Sequence, residues 1–217
     1  MPGFTGRDDI ITELTVSGKK DEFNFVKIAP TTCVVGVMES LWKGVGSPGA
    51  GSDPAATPGT VYDSDSGSPV AGSMWFPDRS TDLRFLLSFG AVSTQNGSLV
   101  LYDRLAAVSG ISVASTGSKT VNSGALTRYS GAAAVNNQVW AEVTTAFTTT
   151  APVLSLNSYT SADGSTGQTG GNITIPTAQA TLNQMFVLPL NATKQGVRSV
   201  EAGLNVGTAA SAGVVNL

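Results

Sequence analysis

The chain has 217 residues, a formal net charge of −3, only 12% charged residues and no histidine. Lacking histidine, it lacks the commonest general base and metal ligand, and the single cysteine, Cys33, excludes an intrachain disulfide or a Cys-rich zinc site. Weak acidity with few Lys and Arg argues against a nucleic-acid surface, and the length suits one domain with room for an arm or small subdomain.

Residues 5–17 read as a short helix. Thr5 is its cap, Asp8 and Asp9 sit at its positive end, Ile10, Ile11 and Leu14 share a face, and Gly18 ends it. Phe23, Phe25 and Lys27 then alternate with Asn24, Val26 and Ile28, which predicts a strand with both faces largely apolar. A second strand is expected over Thr32 to Met38, leading to Leu41-Trp42, with Cys33 as a buried structural thiol. Residues 44–72 are dense in Gly and Pro and read as a long loop or linker.

Strand signals return after Ser73. Leu83, Phe85, Leu87 and Phe89 share a face, and Asn96-Gly97 predicts a hairpin whose return strand is Ser98 to Ala106. A two-residue loop would set Tyr102 against Ala91 and Arg104 against Phe89, with a bulge near Gly90 relieving the second pair. Val139, Ala141, Val143, Thr145 and Phe147 form a period-2 face with Trp140 and Glu142 behind it. Pro152 to Tyr159, Asn172 to Ile175 and Met185 to Leu190 follow, and Pro189 marks an edge or a strand end. Val200, Ala202, Leu204 and Val206 alternate with polar or small residues, and Val214-Val215 closes the chain. Nine or ten short strands between turns predict an antiparallel β-sandwich or barrel. The expected division is an arm at 1–43, a Gly/Pro-rich loop or linker at 44–72 and a β-sandwich body at 73–217. Charge is uneven along the chain: residues 1–104 hold 20 of the 27 charged residues and 105–217 hold seven, so that second part must fold on backbone pairing and small apolar side chains.

Chemical motifs are weak. Gly44-x-Gly46-x-x-Gly49 matches a dinucleotide fingerprint but is followed by Ala50-Gly51-Ser52-Asp53-Pro54, which opens no long helix. Asp63 and Asp65 resemble the start of a calcium loop, but Gly67 stands where the third ligand belongs. A glycosidase needs two carboxylates about 5–10 Å apart; Glu142, Asp163 and Glu201 are the only candidates in the second half, and Glu142 and Glu201 read as solvent-facing strand residues. No Ser-His-Asp triad can form. The sequons at Asn96, Asn172 and Asn191 read as chance in a chain rich in Asn, Ser and Thr. The start has no signal-peptide pattern, and no apolar run approaches the roughly 20 residues of a membrane span. No catalytic residue, cofactor or metal ligand is therefore assigned, and neither a membrane nor a nucleic acid is expected as partner. Trp42, Trp75, Phe76 and Trp140 remain as core anchors or interface residues.

Four stretches carry a resemblance: LYDRLAAVSGIS, ALTRY, VWAEVTTAFTTTAPVLSLNSYTSADGSTGQTGG and GVRSVEAGLNVGTAASAGVVNL. Over residues 98–217, and more loosely before them, the chain resembles tailed-bacteriophage virion proteins of the capsid cement or decoration type. The resemblance implies a small jelly-roll-like sandwich on the capsid exterior. It also implies no enzymatic activity, the major capsid protein as partner and a homotrimer at a local three-fold site. The N-terminal arm with its short helix would hold the shell, with Phe23, Phe25, Trp42, Trp75 and Phe76 as candidate interface residues. The alternative is a tail fibre, tip or receptor-binding module recognising host carbohydrate. An independent hydrolase using Glu142 and Glu201 is the third reading.

Overall fold

A computed structural model describes residues 8, 11, 12, 15, 22–62, 70–74, 88–94, 96–177 and 181–217. Small β-branched and polar residues in short runs between glycine turns favour antiparallel pairing. Thirteen strands form among the described residues: β1 (Val26–Ile28), β2 (Met38–Glu39), β3 (Val45–Ser47), β4 (Thr60–Val61), β5 (Ala106–Ala107), β6 (Ile111–Ser112), β7 (Gly117–Lys119), β8 (Val139–Thr145), β9 (Val153–Ser161), β10 (Ile173–Thr174), β11 (Gln184–Leu188), β12 (Val197–Thr208) and β13 (Val214–Asn216). A 3₁₀ helix, Gly131–Asn136, precedes β8.

Two antiparallel sheets make the body of an all-β sandwich. One has the order β10-β9-β12-β7 and the other β2-β11-β8-β13-β6. Their pairing from β6 onward is nested. The first strand of this set pairs with the eighth, the second with the seventh, the third with the sixth and the fourth with the fifth. Between the sheets lies one core that includes Val139, Ala141 and Val143 of β8, Leu154, Leu156 and Tyr159 of β9, Leu204 and Val206 of β12, and Val215 of β13. The period-2 face expected over Val139, Ala141, Val143, Thr145 and Phe147 is thus inward at four positions, while Thr145, the last residue of β8, is exposed. Tyr159 is fully buried, and its hydroxyl accepts the Asn191 N–H at 2.9 Å, so its polar tip is satisfied.

β12 departs from simple alternation. Val200, Leu204 and Val206 are buried, but Ala202 is exposed, because the register against β9 shifts between Val200 and Gly203. Gly203 has φ +88°, and a Cβ there would lie 1.9 Å from the Lys119 carbonyl oxygen. The bulge therefore requires glycine. Pro189 falls immediately after β11, at a strand end as expected.

The first half differs from its sequence reading in several places. Residues 44–62 are no free linker. β3 pairs with β1, β4 pairs with β5, and Gly51 and Pro54 are buried. β2 is an edge of the five-stranded sheet, so the boundary expected after residue 43 runs through a packed layer. The run from Thr32 is strand only at Met38–Glu39. Val35-Gly36 makes a turn, Val35 is 96% exposed, and Cys33 is exposed rather than buried. That turn takes the apolar run off the sheet. The hairpin around Asn96-Gly97 is not formed by the described residues, since 88–94 and 96–105 lie in no strand. Arg104 does not oppose Phe89, because an ion pair with β8 claims it. Within the expected helix, Asp8, Ile11, Thr12 and Thr15 are helical, and Thr12 Oγ1 donates to the Asp8 carbonyl at 2.8 Å. The other residues of that segment, and Leu83, Phe85 and Leu87, lie outside the described residues.

Candidate functional site

Strand alternation aims neighbouring side chains at opposite sides. In β1 it points Lys27 inward, where Nζ donates to the carbonyls of Gly44 and Gly49 at 3.0 Å each. Burial pushes the Lys27 amine below its ordinary pKa. Val26 and Ile28 therefore face out, 66% and 62% exposed, and Val45 opposite Ile28 is 58% exposed. The hairpin is inverted: its charge is spent on the chain's own backbone and its branched apolar residues meet solvent.

Beside it, Phe25 stacks on Phe89 with ring centroids 6.2 Å apart. Phe23, Asn24 and Phe25 line an open hollow of about 540 Å³ with Gly90, Ala91 and Val92. Phe23 and Phe25 are both half-buried. Of the five expected interface residues, these two share a surface. Trp75 and Phe76 lie outside the described residues.

Trp42 is elsewhere and is consumed internally. It is buried, its Nε1 donates to the Ser52 carbonyl at 3.1 Å, and it meets Tyr62 edge-on at 5.5 Å. Arg104 lies 4.6 Å from the Trp42 ring and 5.7 Å from that of Tyr62. Burial pushes the Tyr62 phenol above its ordinary pKa. The same Arg104 donates to Glu142 Oε2 at 3.3 Å. Glu142 is 4% exposed, contrary to its solvent-facing reading, because this aromatic layer covers the outer side of β8. Its Oε1 is buried with no hydrogen-bond partner among the described residues. Trp140, also on the outer side of β8, is half-buried.

The carboxylates do not form a hydrolytic pair. Glu142 is on one sheet with Arg104. Glu201 is exposed on the other, accepting from Ser158, Thr160 and Ser199. Asp163 bonds Lys194 at 2.7 Å, Ser161 Oγ at 2.5 Å and the Ser165 N–H at 2.9 Å. The Lys194 ammonium, then the Ser161 and Ser165 bonds, hold its carboxyl well below the usual range. Cys33 is exposed, and the Glu39 carboxylate beside it pushes its thiol up, away from a reactive thiolate. The chain also contains a Ser-x-x-Lys spacing, Ser40 and Lys43, which the fold does not turn into a nucleophile and its base. Ser40 Oγ engages the Trp42 N–H and the Tyr102 hydroxyl, while Lys43 pairs with Asp53. Residues 50–62, directly after Gly49, form no helix. Asp63, Asp65 and Gly67 lie outside the described residues. Among the described residues no group of three or more His, Cys, Asp or Glu could hold a metal ion.

The sequence signal for the inverted hairpin was Lys27 between Val26 and Ile28. Its meaning required knowing which side β3 would leave open. Comparison with known protein families, curated proteins and solved structures found no match for this chain.

Proposed function

We propose that the chain is a non-enzymatic phage virion structural protein, a capsid cement or decoration protein. It binds the outside of the major capsid shell as a homotrimer and stabilises the shell by bridging neighbouring subunits. The resemblance over residues 98–217 supplies the class, and the inverted β1–β3 hairpin carries the structural side of the reading. Exposed Val26, Ile28 and Val45 beside the Phe25–Phe89 stack are surface that gains by being covered, at roughly 25 cal/mol per Å². The nested order of β6 to β13 supports the jelly-roll reading, an architecture shared by capsid and lectin domains. Three linked copies at a three-fold site would turn a modest contact into firm attachment.

Cryo-electron microscopy of intact virions tests the placement. Density over the shell at three-fold or quasi-three-fold positions is the expected result. Density only at the tail moves the chain to receptor binding. The Ile28→Ser, Phe25→Ser double variant tests the surface: it should remain folded but lose binding to expanded shells, and undiminished binding would remove the hairpin from the interface.

A further inference from the structure

Asn216 lies in β13, inside the five-stranded sheet, and is 1% exposed. Its carboxamide is held at both ends. Oδ1 accepts the Gly110 N–H at 3.2 Å, and Nδ2 donates to Asp53 Oδ1 at 3.4 Å. That same Asp53 oxygen receives the Lys43 ammonium at 2.6 Å. One carboxylate oxygen thus joins a primary amine to a carboxamide whose carbonyl a backbone N–H already polarises.

We propose that Lys43 and Asn216 form an intramolecular isopeptide bond, with Asp53 as the proton carrier. Asp53 takes a proton from the Lys43 ammonium, leaving a neutral amine and a carboxylic acid. The amine lone pair attacks Asn216 Cγ and forms the new N–C bond. The C=O pair moves onto Oδ1, where the Gly110 N–H stabilises the developing charge. Asp53 then protonates Nδ2, the Cγ–Nδ2 bond breaks, the carbonyl reforms and ammonia leaves. The remaining proton on the new amide passes to ammonia. Overall, a lysine ammonium and an asparagine amide give a secondary amide and an ammonium ion, with no oxidation or reduction.

The bond to Lys43 holds the Asp53 carboxyl below its ordinary range, so Asp53 is a weak base and the proton transfer is infrequent, but each chain need react only once. Asp53, 61% exposed at its side chain, opens the site to solvent on one flank and gives ammonia an exit. The bond would tie the Trp42 layer to the last strand of the body. A protein under load from the shell gains from that tie, but the chemistry stands without the virion role.

Denaturing mass spectrometry of the full chain tests it, with the same N-terminal processing checked in every sample. The wild type should be lighter than its sequence by one ammonia, and tandem spectra of a tryptic digest should contain a branched peptide joining Lys43 to Asn216. Lys43→Arg and Asp53→Ala should both run at full mass. A wild type at full mass overturns the proposal. So does an ammonia loss confined to Asn216 as a succinimide with Lys43 free.

Discussion

The sandwich body and the layer that covers β8 are held by different physics. Among the described residues, nineteen buried ones make the body's core, nearly all aliphatic and drawn from both sheets, whereas three, Trp42, Tyr62 and Ala107, make the layer's. The body is cohesive through area and continuous ladders. The layer, whose β4–β5 pair is two residues long, depends on one cation between two rings and one buried carboxylate. A region rich in charge can thus pack onto a charge-poor body by spending single charges at chosen points, and it then fails at those points.

The largest effect is expected in the body. Leu204→Ala removes a fully buried side chain between the sheets and should cost about 4 kcal/mol. Hydrogen exchange should then accelerate in body and layer together; a protected layer on a loosened body would mean that the layer is independently stable. Glu142→Ala comes next. It leaves Arg104, 14% exposed at its side chain, without its anion and should cost about 3 kcal/mol. Exchange should rise at Tyr62 and Gly51 while β9 and β12 stay protected, and uniform unfolding would break the distinction between the two regions. Trp42→Phe keeps a ring under Arg104 but loses the bond to Ser52, a loss of about 1 kcal/mol in denaturant unfolding. An unchanged midpoint would show that this bond contributes nothing.

The smallest effect is at the surface of the body. The Asp163 carboxyl is held down by Lys194, so it binds a proton less readily folded than unfolded. Its contribution is fully present above the unfolded carboxylate pKa of about 4 and is lost as pH falls through the lower folded value. Solvent screening keeps it small. Asp163→Asn should flatten that part of the acid-unfolding profile, and an identical profile would assign it to other carboxylates.

By itself the sequence determined the all-β class, the inward face of β8 and the end of β11 at Pro189. These follow from period-2 alternation and proline chemistry, which act within one strand. The layer was illegible for the opposite reason. Whether Val26 and Ile28 face core or solvent depends on β3, which the Gly-rich composition of 44–72 disguised. Glu142 looked solvent-facing because alternation places it outside its own sheet. Only tertiary structure, by laying Trp42, Tyr62 and Arg104 over that side, made the outside of β8 an interior. Lys43 and Asp53 are close along the chain, but Asn216 lies 163 positions from Asp53, and that carboxylate meets the amide only when β13 enters the sheet between β8 and β6.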